Sequence, residues 1–264
     1  MKLELYHTNW SICAQTVRLV ISEKRLKVIE HHIDLRARQQ QTAEYLKLNP
    51  NGYVPTLVHD GRPVIESAAI CEYLDEVFPE PQLRPSDLVE RAYMRSWTRR
   101  PDAGLHRACA TVTNAIAFRF QWLEKTPKEI ETMLAATPDP ARRNWRREMI
   151  ENGTKSELFM DAIWAIDRLL SDMEAALRER RWLANSVYTL ADVALTSYIN
   201  RFAELQFHPM WENRRPRVSG WLDRVRKRIN FKEGFGEYPY PEYRSQMAEK
   251  GTLQWPGIEA ILAV

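Results

Sequence analysis

Hydrophobic and polar residues alternate at the start of the chain and then recur at helical spacing. Residues Lys2 to His7 alternate as in a half-buried strand, and Ser11 to about Lys24 carries apolar residues with the period of a helix. Val28 to Ile33 predicts a second strand, and the polar stretch after it leads into a short helix around Tyr45. This part of the chain therefore predicts the order strand, helix, strand, helix.

A hairpin and another helix are predicted next. Thr56 to His59 and Pro63 to Ile65 are β-type runs, and the Asp60-Gly61 dipeptide between them suits the left-handed φ values of a tight turn. Glu66-Ser67 then opens an amphipathic helix, for which Ser67 is the expected N-cap. The complete order of elements over residues 1–78 predicts an α/β, thioredoxin-like layout.

The rest of the chain, from about Arg84, has helical periodicity. Within it, Thr189 followed three residues later by Asp192 predicts a capped helix start. The proline-containing segment from Phe78 to Pro81 ends the preceding helix and supplies a linker. We expect a thioredoxin-like domain over residues 1–80 and an all-helical domain over residues 84–264.

Composition excludes several classes of protein. The 264 residues, 44% of them hydrophobic, are enough for one large domain or two ordinary ones. A net charge of +3, from 38 basic and 35 acidic residues, is too small to predict a nucleic-acid-binding protein. No apolar run reaches membrane-spanning length, so we expect no membrane association.

The N-terminal residues, the cysteines and the histidines predict the cellular compartment and the absence of a metal site. The N-terminal residues lack the apolar block of a signal peptide. The 3 cysteines, Cys13, Cys71 and Cys109, cannot form a disulfide framework, which predicts a reducing cytoplasm. The 6 histidines show no metal-binding spacing, so we expect no metal site.

Two features of the hairpin region predict a site for a peptide-like anion. The helix start at Ser67 offers free backbone N–H groups and a positive dipole end, which suit a carboxylate. Pro55 removes a ladder donor, so Val54-Pro55 belongs at a strand start or a bulge. An exposed strand end beside an anion site fits an extended, peptide-like ligand.

The Val54-Pro55 pair, the hairpin and the Glu66-Ser67 helix start together resemble the glutathione-binding domain of glutathione transferases. The resemblance implies glutathione as co-substrate and a cis bond before Pro55. It also implies that the backbone of Val54 pairs with the cysteinyl part of glutathione, and that Glu66 and Ser67 hold its γ-glutamyl end. Gln39 and Gln40 flank the region that closes over the glycyl end in related folds, and the alternative is that they lie on a solvated helix face.

The turn between the first strand and the first helix is the expected site of thiol activation. A thiol with a pKa of about 8.5 is mostly protonated at neutral pH, and lowering that pKa by about two units corresponds to roughly 2.7 kcal/mol. A hydroxyl group and a helix N-terminus both stabilise a thiolate, and Ser11 stands where the two coincide. Ser11 could also be only the N-cap of the helix.

Cys13 supplies a second candidate for the chemistry. Ser11-Ile12-Cys13 resembles the Ser-x-Cys turn of zeta-type isomerases and reductive dehalogenases, in which a cysteine forms a mixed disulfide with glutathione. A thiolate in the first turn of a helix has a depressed pKa. The alternative is that Cys13 is a small buried helix residue. Trp10 is the candidate for the wall of an aromatic substrate pocket.

Extra helical material between about Ala115 and Gly153, and an aromatic tail from Phe231 onward, lengthen the chain beyond a minimal transferase. Long bacterial members, the glutathione-dependent β-aryl etherases, look similar here. The similar stretches are Val64–Leu74, Val77–Pro79, Leu83–Pro85, Arg91–Arg95, Trp97–Thr98 and Trp145–Arg147. These etherases do not share a clear Ser-x-Cys turn.

The sequence therefore predicts a glutathione transferase that attacks a small, hydrophobic, aromatic electrophile, with β-aryl ether cleavage as the specific version. One alternative is a cysteine-dependent reductive dehalogenase or isomerase of the same fold. Another is a non-catalytic ligand-binding or interaction protein that kept the fold. The resemblance also implies a homodimer.

Overall fold

The computed structural model describes residues 1–137 and 139–263, which form two compact units. The first unit contains Met1–Arg100, Ala176–Asn200 and Arg217–Tyr240. The second contains Pro101–Ala175, Arg201–Pro216 and Pro241–Val264. Among the described residues, no helix is both long enough and apolar enough to cross a bilayer.

A 4-stranded mixed sheet forms the centre of the first unit. Its strands are β1 (Leu3–His7), β2 (Ile29–His32), β3 (Thr56–His59) and β4 (Arg62–Val64), in the order β2-β1-β3-β4. β1 runs parallel to β2 and antiparallel to β3, and β3 runs antiparallel to β4. The predicted thioredoxin-like layout is confirmed, with strand ends shifted by about one residue.

The tight turn between β3 and β4 has the conformation that its sequence predicted. Asp60 has φ of 47° and Gly61 has φ of 80°, so both central residues are left-handed. His59 pairs with Arg62 across the turn, which brings Arg62 into the ladder and makes the loop two residues long. Ile65, expected in the strand, instead lies in the connection to the next helix.

Three helices of the first unit accompany the sheet: α1 (Ile12–Glu23), α2 (Ala43–Leu48) and α3 (Ser67–Val77). α1 and α3 pack against each other, and the sulfur of Cys71 lies 3.9 Å from the Thr16 carbonyl oxygen. Leu5, Leu57 and Ile70 are fully buried and belong to the core of this unit. The apolar faces of α1 and α3 therefore lie in the core.

The remaining helices follow the linker. They are α4 (Leu88–Thr98), α5 (His106–Thr113), α6 (Phe120–Leu123), α7 (Pro127–Ala135), α8 (Pro140–Glu151), α9 (Glu157–Ala176), α10 (Leu190–Glu204), α11 (Pro209–Glu212), α12 (Pro216–Arg226), α13 (Ile229–Phe231) and α14 (Pro241–Leu262). Short π-helical segments at Asn114–Phe118 and Lys232–Gly236 interrupt this series, and the chain is kinked within Pro101–Leu105, where Gly104 has φ of 127°. In the second unit, Phe159, Ile163 and Leu170 of α9 are buried and share the helical spacing of the sequence.

The start of α10 is capped as its sequence predicted. Asp192 is fully buried and accepts a hydrogen bond from the Thr189 N–H at 3.0 Å. Its second oxygen accepts from the Leu183 N–H at 3.0 Å and from Trp221 Nε1 at 2.8 Å. Burial raises the pKa of the Asp192 carboxyl to about 6, while these hydrogen bonds act in the opposite direction. These hydrogen bonds tie the start of α10 to Leu183 and to Trp221 of α12.

Candidate active site

Strand register brings four connecting segments to one edge of the sheet. β1 and β2 are parallel and end together, since His7 pairs with His32. β3 begins at this edge because Thr56 pairs with Tyr6, and β4 ends there because Val64 pairs with Leu57. The turn after β1, the loop after β2, the turn before β3 and the connection after β4 therefore leave the sheet on the same side.

The turn after β1 carries Ser11 as the N-cap of α1. Its backbone is extended (φ −70°, ψ 122°), and its Oγ accepts a hydrogen bond from the Ala14 N–H at 3.3 Å. Ser11 and Cys13 are both half-buried, and the first turn of α1 contains no acidic residue. Trp10 is also half-buried. The positive end of the helix dipole is thus available to an anion beside Ser11.

The other two cysteines are buried in the core. Cys71 is 5% exposed and Cys109 is fully buried. Burial raises the pKa of the Cys71 thiol, so it stays protonated. Among the described residues, Cys13 is the only half-buried cysteine, and no group of three or more potential metal ligands is found.

The Val54-Pro55 peptide bond is cis, as the resemblance implied. Two side chains fix the turn before it. The Tyr45 hydroxyl donates to the Tyr53 carbonyl oxygen at 2.6 Å, and Asn49 Nδ2 donates to the same oxygen at 3.0 Å. Within the described part of the chain, the backbone of half-buried Val54 makes no hydrogen bond. Its N–H and C=O therefore remain available to a partner strand or a ligand.

The loop after β2 forms a short turn at Gln39–Gln41 that touches the segment before Val54. Gln41 Nε2 donates to the Gly52 carbonyl at 3.3 Å, and Gln39 Oε1 accepts from the Asp34 N–H at 2.8 Å. Gln40 differs, because its Oε1 is buried and has no hydrogen-bond partner among the described residues. A buried amide oxygen without a partner is costly, and a ligand donor would satisfy it.

The connection after β4 corrects one prediction. Helix α3 begins at Ser67, so the N-cap is Glu66 and Ser67 is the first helical residue. Glu66 has φ of 69°, and its carbonyl accepts from the Ile70 N–H at 2.8 Å, which closes the first helical turn one residue earlier than expected. Glu66 makes no capping bond with its side chain, and the first turn of α3 is free of acidic residues. The amides at the start of α3 therefore receive no side-chain capping bond from Glu66 and remain available to a ligand.

Asn51 is a residue of this region that the sequence pattern did not single out. Its Nδ2 donates to Glu66 Oε1 at 3.1 Å and so ties the segment before Val54 to the start of α3. The only sequence signal was its position in the turn-forming stretch Asn49 to Gly52. Hydrogen bonds thus connect the Gln39–Gln41 turn, the segment from Asn51 to Pro55, and Glu66 into one cluster.

Comparison with known proteins identifies the family. The model of the glutathione S-transferase N-terminal domain matches residues 10–77, and that of the glutathione S-transferase C-terminal domain matches residues 123–228. The chain belongs to the glutathione S-transferase family. It is accordingly a glutathione transferase, an enzyme whose co-substrate is glutathione.

Three relatives cover this chain to different extents. Protein LigF of Sphingobium sp. (strain NBRC 103272 / SYK-6) is 29% identical over 257 residues, which are 95% of this chain and 99% of that protein. Glutathione S-transferase 1 of Dianthus caryophyllus is 45% identical over 91 residues, 34% of this chain and 41% of its own length. A zeta-class glutathione S-transferase of Euphorbia esula is 42% identical over 92 residues, 34% of this chain and 40% of its own length.

Solved structures agree with this assignment. The crystal structure of the β-etherase LigF from Sphingobium sp. strain SYK-6 superposes with a TM-score of 0.81, covering 90% of this chain and 100% of that one at 29% identity. A theta-class glutathione S-transferase from Xanthomonas axonopodis pv. citri, solved with glutathione bound, has a TM-score of 0.66 at 21% identity. It covers 88% of this chain and 96% of that one, and it supports the fold.

The left-handed backbone of Glu66 generates a stability prediction. A side chain at positive φ costs about 1–2 kcal/mol relative to glycine. Glu66→Gly should therefore unfold at a higher denaturant concentration than Glu66→Ala, with a difference of about 1 kcal/mol in the free energy of unfolding. Both variants lose the hydrogen bond from Asn51, so the comparison isolates the backbone. Equal stabilities in chemical denaturation would show that the Glu66 backbone is unstrained.

Proposed function

We propose that this glutathione transferase activates the glutathione thiol at Ser11 and uses it to cleave β-aryl ethers or to attack a similar aromatic electrophile. The observation that carries the proposal is the meeting, at one sheet edge, of two helices whose first turns contain no acidic residue, the cis Val54-Pro55 turn and the unpaired Gln40 oxygen. Similarity to LigF along 95% of the chain supports the choice of ether cleavage.

The residues present fit glutathione along its length. The start of α3, with Ser67 and Glu66, would bind the γ-glutamyl end, since helix-start amides favour a carboxylate and Glu66 favours its ammonium group. The unpaired backbone of Val54 would pair with the cysteinyl part in the manner of an added strand. Gln40 Oε1 would accept a hydrogen bond towards the glycyl end, and Gln39 borders that end.

Thiol activation is assigned to the start of α1. The hydroxyl of Ser11 donates a hydrogen bond to the sulfur, and the helix dipole adds a favourable potential that no acidic residue of the first turn weakens. A decrease of about two units in the thiol pKa, equivalent to about 2.7 kcal/mol, makes the thiolate the main species at neutral pH. Glutathione is therefore already bound as the thiolate when the electrophile arrives.

The proposed reaction is a nucleophilic substitution at carbon. The thiolate attacks the carbon that carries the aryloxy group, so that a C–S bond forms and the C–O bond breaks. The phenolate leaves with the bonding electrons and takes a proton from water. Trp10, half-buried next to Ser11, is assigned to the aromatic wall beside the sulfur.

Cys13 supports a second candidate function. It is half-buried in the first turn of α1, close to the positive end of the helix dipole. A stretch of 92 residues of this chain is also 42% identical to the zeta-class transferase from Euphorbia esula. In this alternative the enzyme catalyses a reductive dehalogenation or an isomerisation through Cys13. In the dehalogenation, glutathione displaces halide from the substrate, and Cys13 then attacks the thioether sulfur to form a mixed disulfide. The substrate carbon leaves with the bonding electrons and takes a proton, and a second glutathione thiol reduces the disulfide.

Assembly and location complete the proposal. Family analogy supports a homodimer, and the three cysteines, which form no disulfide among the described residues, fit a reducing cytoplasm. The proposed partners are glutathione and a small hydrophobic electrophile, without nucleic acid or membrane. A non-catalytic role is disfavoured because such a role requires neither Ser11 nor the Val54-Pro55 turn beside the α3 start.

The first functional prediction concerns glutathione affinity. Ser67→Ala and Glu66→Ala should each weaken glutathione binding by about 1–3 kcal/mol, because a charged ligand loses a hydrogen-bonding partner. Isothermal titration calorimetry on the folded variants measures the change. Ser86→Ala is the matched control, since Ser86 is an exposed residue just before α4. Unchanged affinity in both site variants would refute the assignment of α3 to the γ-glutamyl end.

A second prediction separates Ser11 from Cys13. If Ser11 activates glutathione, Ser11→Ala should raise the pKa of the bound thiol and lower turnover at neutral pH by about ten- to a hundred-fold. Cys13→Ala should retain most of the activity. The ultraviolet absorbance of the thiolate against pH gives the first quantity. A dead Cys13→Ala variant, with a glutathione adduct on Cys13 in mass spectra of the working wild type, would establish the alternative.

The substrate class is tested with a β-aryl ether that releases a fluorescent phenol. We expect phenol release to require glutathione and to match the formation of a glutathione thioether mole for mole, as mass spectrometry can determine. A halogenated aromatic substrate serves as the comparison. Release of halide without any thioether, together with inertness towards the ether, would instead support the Cys13 chemistry.

A further inference from the structure

The tail segment, residues 231–240, packs on α1 within the first unit. It comprises the end of α13, the π-helical turn Lys232–Gly236 and the residues up to Tyr240. Its approach is close, because a Cβ at Gly234 would lie 3.1 Å from Leu19 Cδ2 and 3.3 Å from Leu19 Cα. The proposed function leaves this segment without a role.

Arg18 of α1 joins the tail segment to the turn that precedes α1. Its side chain is only 2% exposed and donates to the carbonyl oxygens of Thr8 at 3.3 Å, Asn9 at 3.0 Å and Gly234 at 3.1 Å. The ring of Tyr238 covers the guanidinium carbon at 3.9 Å. Thr8 and Asn9 directly precede Trp10 and Ser11. The buried guanidinium of Arg18 therefore binds the backbone immediately before the proposed thiol-activating turn.

Arg18 remains positively charged, and Glu30 supplies the nearby negative charge. Burial lowers the pKa of its guanidinium to about 10, so the group remains cationic at neutral pH. Since Arg18 can only donate, the 3.0 Å contact makes His7 Nδ1 an acceptor and leaves His7 Nε2 to donate to Glu30, 3.3 Å away. Glu30 also accepts from the Tyr238 hydroxyl. The Glu30 carboxylate is thus connected to the Arg18 guanidinium only indirectly, through the rings of His7 and Tyr238.

Two further hydrogen bonds connect the tail segment with the same turn. Asn9 Nδ2 donates to the Pro239 carbonyl at 3.0 Å. Gln15 Nε2 donates to the Tyr240 hydroxyl at 2.8 Å and lies 3.4 Å from the Asn9 carbonyl oxygen. Gln15 is 1% exposed, so the side-chain amide is fixed from both sides. The carbonyl oxygen of Asn9 therefore accepts from Arg18 and Gln15, while the side chain of Asn9 donates to the tail.

We propose that Arg18, locked in place by the tail segment, is a positioning residue that holds the backbone before Ser11 in the geometry that activates glutathione. The proposal rests on the proposed function of Ser11. A displacement of about 1 Å in a positioning group can lower turnover about a hundred-fold. Lysine cannot replace the fork, because a single ammonium group does not reach carbonyl oxygens that diverge in direction.

The test compares Arg18→Lys with Arg228→Lys. Arg228 is the matched control because it also links α1 to the second half of the chain, but at the last residue of the helix. It donates to Glu23 Oε1 at 2.8 Å and to Glu23 Oε2 at 2.6 Å, and it lies over the Tyr188 ring at 4.0 Å. Both substitutions keep the positive charge and remove a fork.

Hydrogen exchange of the ligand-free proteins is the first readout. Amides of residues 8–15 should exchange at least about ten-fold faster in Arg18→Lys than in the wild type, and at the wild-type rate in Arg228→Lys. Tyr240→Phe, which removes one hydroxyl and keeps the ring, should accelerate the same amides to a smaller extent. If Arg18→Lys does not fold, the exchange rates of Tyr240→Phe test the proposal in its place. Unchanged exchange at residues 8–15 overturns the proposal, and so does equal acceleration in the Arg228→Lys control.

Turnover with a glutathione-reactive substrate is the second readout. Arg18→Lys should lower kcat about ten- to a hundred-fold and move the pH–rate profile to higher pH, while KM for glutathione changes less than three-fold, since α3 binds most of the ligand. A change confined to KM overturns the positioning role. Failure of the wild type to bind glutathione would refute the proposed function, and hydrogen exchange would still decide whether Arg18 orders the turn.

Discussion

The pairing of β1 with its two neighbours is the constraint on which the candidate site depends. A parallel partner on one side and an antiparallel partner on the other place the end of β1, the end of β2 and the start of β3 at one edge. Because side chains alternate along a strand, a slip of one residue in either pairing would turn buried Leu5 or Leu57 towards the opposite face. The core that fixes the register therefore also fixes which loops meet.

Electrostatics at this edge comes mainly from the backbone. Both α1 and α3 begin there without acidic residues in their first turns, so two positive helix ends are available to an anionic ligand. The buried cation of Arg18 binds carbonyl oxygens of the turn. Its carboxylate counterpart, Glu30, is reached only through His7 and Tyr238. The arrangement keeps positive potential at the turn and negative charge on the adjacent strand.

Much of this site was accessible from local patterns, and the exceptions have specific reasons. Asp60-Gly61 and the Thr189–Asp192 cap depend on neighbours in sequence, so their geometry could be predicted. Ser67 was expected to cap α3, but the left-handed backbone of Glu66 starts the helix one residue earlier. A non-glycine residue with positive φ has no signature in its residue type. Asn51 escaped notice because its partner, Glu66, is fifteen residues away.

The sequence by itself determined the order of elements, the tight hairpin, the family resemblance and the candidates Ser11, Cys13 and Val54-Pro55. These follow from residue type, periodicity and short spacing, which act over a few residues. Only the tertiary structure decided that Gln40, and not Gln39, has an unpaired buried oxygen, and that Arg18 joins the tail to the turn before Ser11. Those properties arise from burial and from contacts between residues more than two hundred positions apart, for which no local pattern exists.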